Sequence, residues 1–241
     1  MARVPARVTA HASTDASTHA PAHAPHASAH ASHSASDAAS LAVPPDSAAN
    51  ASRRTILDTA ARLFRVDGYA AVSLRDIAAA CGMKAGSLYY HFASKDAIVA
   101  EVLRIGVERV YHEVRVAIEA LGPDAVPESV SRTAVKAHLR ALLESQDYTS
   151  ANIRIFGQVP HEVRSGHLQL RDEYERAWGE ILSRLVPKAA VSIDELRLTR
   201  FFLIGAMNGT LEWFHKGQAS VDEVAERYAT LVLRGLLGGQ T

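Results

Sequence analysis

The run Ser73-Leu-Arg-Asp-Ile-Ala-Ala-Ala-Cys-Gly-Met-Lys-Ala-Gly-Ser-Leu-Tyr-Tyr-His-Phe92 constrains the fold more than any other stretch of this 241-residue chain. It predicts two short helices around a tight turn. Ser73 suits an N-cap, and Asp76 stands three residues on as the acidic half of a capping box. Leu74, Ile77, Ala78 and Cys81 follow at i, i+3, i+4 and i+7, one face of a helix. Gly82 comes next, where helices commonly stop in a left-handed residue. A second helix can start after Lys84. Plotted at about 100° per residue, Ala85, Leu88 and Phe92 share one side. Gly86, Ser87 and Tyr90 take the opposite side, with Lys84, Tyr89 and His91 on the flanks.

No core requires that second face, whereas a phosphate backbone and base edges would use it. The arrangement is a helix-turn-helix, whose second helix enters the major groove. The candidate DNA contacts are Ser73 and Arg75 of the first helix, and Lys84, Ala85, Gly86, Ser87, Tyr89, Tyr90 and His91 of the second. Arg54 and Lys95 complete the set from the flanking helices. Lys95, at the start of a helix opened by Ser94, can hold a phosphate with help from free backbone N–H groups. Arg53 and Arg54 can touch phosphate or the minor groove, or be merely solvated.

With Thr55-Ile-Leu-Asp-Thr-Ala-Ala-Arg-Leu-Phe64, Asp67-Gly-Tyr69 and Ser94-Lys-Asp96 added, the stretch resembles the DNA-binding domain of TetR-family repressors over about 50 ungapped residues. Cys81 and Met83 depart from the Ala and Val more usual there; both are assigned to the buried side or the turn. The resemblance implies an all-α homodimer that binds a palindromic operator and is released by a small molecule.

Charge is distributed accordingly. The chain is neutral overall, but residues 51–100 carry seven basic against four acidic side chains, a net of +3, where phosphate contacts need it. A lone cysteine excludes an internal disulfide and suits a reducing cytoplasm. No apolar run is long enough for a membrane span, and no apolar signal core opens the chain.

Three regions are expected: a tail over 1–50, a DNA-binding domain over 51–97, and a helical ligand-binding and dimerisation domain over 98–241. The tail is Ala, His, Ser, Thr and Pro, too poor in apolar side chains to offset its ordering entropy, so it reads as disordered. Its six histidines (His11, His19, His23, His26, His30, His33) invite a metal-binding reading, but Pro21 and Pro25 break the helix that would align His19 with His23. A first helix is expected from about Ser52 to Val66, closed by Asp67-Gly68. A fourth runs from Ser94 to about Leu121, some 40 Å at 1.5 Å per residue, long enough to join the two domains. Further helices are placed near 127–146, 149–157, 161–186, 193–215 and 220–237, with no sheet. The last two are the least polar. Leu196, Phe202, Leu203, Met207, Thr210 and Phe214 line one, and Val221, Val224, Tyr228, Leu231, Val232 and Leu236 the other. They can form a four-helix dimer interface or close the protomer's own core.

Enzyme signatures are missing: there is no Gly-rich phosphate loop, His-Glu-x-x-His or Cys-x-x-Cys. No cofactor and no metal is expected. His161, Glu162 and His167 are too spread for a metal site by spacing. The rival reading is a helical enzyme or metal-binding protein that carries a borrowed DNA-binding domain. A ligand pocket is the better expectation, with Arg154, Phe156, Arg164, Tyr174, Trp178, Asn208, Glu212 and Trp213 as candidate liners, although each could instead be core or surface. Asn208 is the sharpest of these, a polar amide in an apolar helix that needs a partner. Between Gly205 and Gly209, it is expected to face a pocket against the fourth helix, or else to bond a neighbouring helix. The segments Gly205–Gly217 and Val221–Gly235 are similar to the ends of TetR-family repressors of fatty-acid, sterol or aromatic-acid degradation. That similarity implies an acyl-CoA effector, with Arg154 and Arg164 as phosphate partners. Those relatives often carry a bulky aromatic where this chain has Gly209.

Overall fold

A computed structural model describes residues 48–145, 147–186, 191–215, 217 and 219–237. The disordered reading of the tail over 1–47, and the helix breaks assigned to Pro187 and Lys216, lie outside those residues. Among the described residues the chain is all-helical: α1 Ala48–Ala71, α2 Leu74–Ala80, α3 Ala85–His91, α4 Lys95–Glu119, α5 Pro127–Arg140, α6 Asp147–Ile155, α7 His161–Ser165, α8 Leu168–Ser183, α9 Ile193–Trp213 and α10 Val221–Leu237. A π-turn, Ala141–Ser145, extends α5.

Local signals set most boundaries. Ser73 and Asp76 form the capping box reciprocally, Ser73 Oγ accepting from Asp76 N and Asp76 Oδ2 from Ser73 N at 2.8 Å. Gly82, at φ 67, ends α2 in a Schellman turn, with Met83 N donating to Ala78 O and Gly82 N to Ala79 O. α1 starts earlier than expected, and its regular helix is interrupted at Gly68, where φ 80 and ψ 176 are non-helical, as the Asp67-Gly68 stop implies; a short further turn reaches Ala71. The helix expected over 161–186 is two helices. Gly166 breaks it, a residue costing about 1 kcal/mol more than Ala in a helix interior, and the break turns the His167 side chain inward.

Two apolar clusters form the core. One holds Ile56, Phe64, Ile77, Leu88, Ile98 and Leu103 of α1–α4, joined by Tyr148, Ala151 and Ile155 of α6. The other holds α4's later turns with α5, α8, α9 and α10, around Leu139, Trp178, Leu182, Leu203 and Met207. α4 reaches both regions, as its length implies, but not alone. α6 also packs into the head, because Gly106 lets it lie against α4. A Cβ on Gly106 would sit 2.6 Å from Tyr148 O and 2.8 Å from Asn152 Cβ. Asn152 Nδ2 donates to Leu103 O at 2.7 Å across the same crossing.

α9 and α10 each bury one side and expose another within the protomer. Leu203, Met207 and Thr210 of α9, and Val221, Val224, Val232 and Leu236 of α10, close the protomer core. Of the stripes read from sequence, Phe202 and Leu231 point outward, 65% and 62% exposed, and Leu198 joins them at 66%. Gly205 and Gly209 lie on this outer face, where an added Cβ would meet nothing within 4 Å, so they do not shape a cavity.

Candidate DNA interface and effector cavity

α3 is held by its inner side. Leu88 is fully buried and Phe92 nearly so, each contributing about 1.5–3 kcal/mol of apolar burial. Lys84, Gly86, Ser87, Tyr89 and Tyr90 are exposed, Tyr90 at 82%. His91 packs edge-on to Tyr90 with centroids 5.2 Å apart. Two neighbouring tyrosines and a hydroxyl on a helix anchored from behind offer hydrogen bonds and ring faces to a groove. Arg75 is exposed beside them on α2.

Four of the sequence-derived DNA residues have surroundings of their own. The Ala85 methyl packs against the head core, leaving its backbone as the part that can approach DNA. Ser73 is exposed, but its hydroxyl is committed to Asp76. Lys95 donates to Tyr69 O, and its ammonium lies 3.9 Å from the Tyr69 ring centre, so burial lowers its pKa. Arg54 borders a hollow of about 920 Å³ with Asp58, Arg109 and Tyr148, on the side of α4 and α6. Its neighbour Arg53 pairs with Glu101 at 3.2 Å and lies over Phe92.

The second site is a cavity of about 50 Å³ walled by α4, α5, α6, α8 and α9. Gly106 and Val110 come from α4, and Thr149 and Asn152 from α6. Asn208 lines it, as does Tyr174. Asn208 also has a protein partner. Its Oδ1 lies 3.2 Å from His138 Nε2, and His138 Nδ1 lies 2.6 Å from the Tyr174 hydroxyl. Complete burial pushes the His138 pKa down to about 4, so the imidazole is neutral near pH 7. Burial pushes Tyr174 upward, so it keeps its proton. The consistent assignment has the Tyr174 hydroxyl donating to Nδ1 and Nε2–H donating to Asn208 Oδ1, which leaves the amide nitrogen as a donor.

The other candidate liners scatter. Trp178 is fully buried behind Tyr174 and His138, in edge contact with both rings. Phe156 supports Arg171, whose guanidinium sits 4.0 Å from its ring centre. Arg154 and Glu212 line a separate open hollow of about 560 Å³, which shares Ile153 with the cavity as a wall residue. Arg164 is on neither wall, and Trp213 is half exposed near the end of α9. His138 and Arg171 were missed in the sequence. Their signal, a polar residue within an amphipathic helix, is shared with every solvated position. Among the described residues no group of three or more His, Cys, Asp or Glu could hold a metal, and no helix is long and apolar enough to cross a membrane.

The cavity is mechanically close to the head. α6, whose Thr149 and Asn152 face it, also carries Tyr148, which donates to Asp58 of α1 at 2.7 Å. Asp147 pairs with Arg65 of α1 at 2.6 Å. Gln158 accepts from Tyr69 N at 3.0 Å, just beyond the Gly68 kink.

Comparison with known proteins is consistent along the chain. Residues 56–102 match the family model described as bacterial regulatory proteins, tetR family, and residues 131–236 match the tetracyclin repressor-like C-terminal domain. The HTH-type transcriptional repressor KstR2 of Rhodococcus jostii is 32% identical over 203 residues, 80% of this chain and 96% of that protein. Among solved structures, the TetR-family regulator PfmR of Thermus thermophilus superposes with a TM-score of 0.64 at 30% identity, over 75% of this chain and 98% of that one. AibR, solved with isovaleryl coenzyme A and operator DNA, gives 0.65 at 21% identity, over 77% and 97%, a likeness of fold.

Proposed function

Taking as premise that the chain belongs to the TetR family of transcriptional regulators, a ligand-responsive DNA-binding repressor, we propose that the cavity around Asn208 is its effector site and that the effector is an acyl-CoA thioester. The observation that carries this reading is the polar trio Tyr174–His138–Asn208, bonded in series within the helical bundle and ending at a cavity. Such networks are costly to bury and need a reason to be there. The KstR2 likeness and the AibR fold add support. As it stands, about 50 Å³ is far below the roughly 300–1,000 Å³ of a small-molecule pocket, so the effector must open it. α6 is the wall that would move, and the hollow holding Arg154 offers room for a CoA handle beyond Ile153.

Displacing α6 would pull on Asp58 and Arg65 of α1, so the effector would favour a state whose two recognition helices no longer sit about 34 Å apart, one DNA turn. The effector releases DNA only by binding that state more tightly. The exposed Leu198, Phe202 and Leu231 would pair the two protomers of the dimer. In this reading the protein is no enzyme and works in the cytoplasm, where its operator is. Anisotropy titration of the gene's own upstream DNA tests it. Affinity should fall steeply with salt, and a series of acyl-CoA thioesters should release the DNA. No binding, or binding indifferent to every thioester, would count against it.

A further inference from the structure

Among the described residues Arg171 is the one cation on the cavity wall, and its surroundings are unusual. Its guanidinium lies flat over Phe156, 4.0 Å from the ring centre. Among the described residues neither a carboxylate nor any other acceptor is hydrogen-bonded to its guanidinium, whereas Arg200 nearby is paired. Glu175, one turn on and on the same wall, is engaged by Arg200 of α9 at 3.3 Å. Glu175 and the exposed Asp172 therefore act on Arg171 through space alone, and burial still lowers its pKa. With His138 and Tyr174 neutral, the group formed by Arg171, Glu175 and Arg200 carries a net +1.

The Arg171 guanidinium is half-buried, and among the described residues its donors are free of protein acceptors and open to a ligand. A planar cation on a cavity wall, steadied by an aromatic ring, is also what recognises a carboxylate or phosphate. We propose that Arg171 is the anion anchor of this cavity, receiving an oxyanion of the effector beside the Asn208 amide. The inference rests on reading the cavity as the effector site and adds the chemical class of group recognised there. The oxyanion has two sources in a thioester: a carboxylate on the acyl end, or a phosphate of the CoA handle.

Arg171→Met keeps the length and apolar stem and removes the charge. Titration calorimetry on the full-length protein would use glutaryl-CoA against valeryl-CoA, and CoA against pantetheine. If the acyl carboxylate is recognised, the wild type prefers glutaryl-CoA by about 10- to 100-fold and Arg171→Met erases the preference. If a phosphate is recognised, the same loss appears in the preference for CoA over pantetheine. Arg171→Lys, which keeps charge without the fork, should fall between. The ligand-free melting temperature of Arg171→Met should stay near wild type, since no hydrogen bond among the described residues is lost and the apolar stem can still pack on Phe156. Unchanged preferences in Arg171→Met, or a wild type that binds none of the four probes, would overturn the anchor. Probes that bind through Arg171 without releasing operator would leave the anchor standing and remove the effector reading instead.

Discussion

Gly106→Ala tests the α4–α6 crossing through which the cavity and the head communicate. The new methyl would start 2.6 Å from Tyr148 O and 2.8 Å from Asn152 Cβ, whereas ordinary contact begins at 3.4 Å. The carbonyl is backbone and cannot rotate away, so α6 must retreat by about 0.8 Å, the difference between those two distances. Overpacking of this kind costs about 1–3 kcal/mol. Retreat also stretches the 2.7 Å bond from the buried Asn152 amide to Leu103 O, and losing such a bond costs about 1–3 kcal/mol more. The combined cost, about 2–6 kcal/mol, lowers a urea midpoint by about 1–3 M at a typical slope of about 2 kcal/mol/M. The assay is urea unfolding by circular dichroism at one fixed dimer concentration, since association contributes to stability. Gly86→Ala is the matched control. It is also a helical glycine, but nothing lies within 4 Å of its added methyl, so it should gain about 0.5–1 kcal/mol of helix propensity. A Gly106→Ala protein with a wild-type midpoint would refute the tight crossing and the role given to α6.

Tyr90→Ala should leave stability unchanged, since Tyr90 is 82% exposed, and weaken operator binding by about 1–3 kcal/mol in anisotropy titrations. Phe202→Glu, on the outer stripe of α9, should shift the dimer toward monomer in sedimentation velocity while keeping helical content. His138, neutral when folded with a pKa of about 4 against 6.5 unfolded, contributes stability that is fully present above pH 6.5 and lost as pH falls toward 4. The loss is on the order of 3 kcal/mol, and His138→Gln should flatten that part of the midpoint-against-pH curve. Tyr148→Phe removes the bond to Asp58 and should weaken the effect of a thioester on operator binding more than it weakens thioester binding itself, measured by calorimetry alongside anisotropy.

The head was legible because its signals are local. Ser73 and Asp76 cap one another within four residues, Gly82 sits where only a residue tolerant of positive φ ends the helix well, and Leu88 marks the anchored side of α3 by period alone. The cavity was only half legible. Asn208 stood out because an amide in an apolar helix is conspicuous, but its partner His138 lies 70 residues away, and no spacing rule joins them. Gly205 and Gly209 show the limit most clearly. A glycine reports missing volume without saying which side of the helix needs it, and these two open onto the exterior. Gly106, which drew no notice, is the glycine with a packing reason, supplied by a carbonyl 42 positions further on. Lys95 and Arg54 illustrate the same point for charge, since the Tyr69 carbonyl and the α4–α6 wall that receive them come from folding.

If one protein couples a small-molecule site to a DNA site, the coupling is reciprocal. Titration calorimetry of an active acyl-CoA thioester would be run on the free protein and on its operator complex at the same salt concentration. Operator should weaken thioester binding by the same factor by which the thioester weakens operator binding, about 5- to 150-fold for couplings of ordinary size. Equal thioester affinity in the two states would contradict it, because a ligand indifferent to the DNA-bound state cannot release DNA.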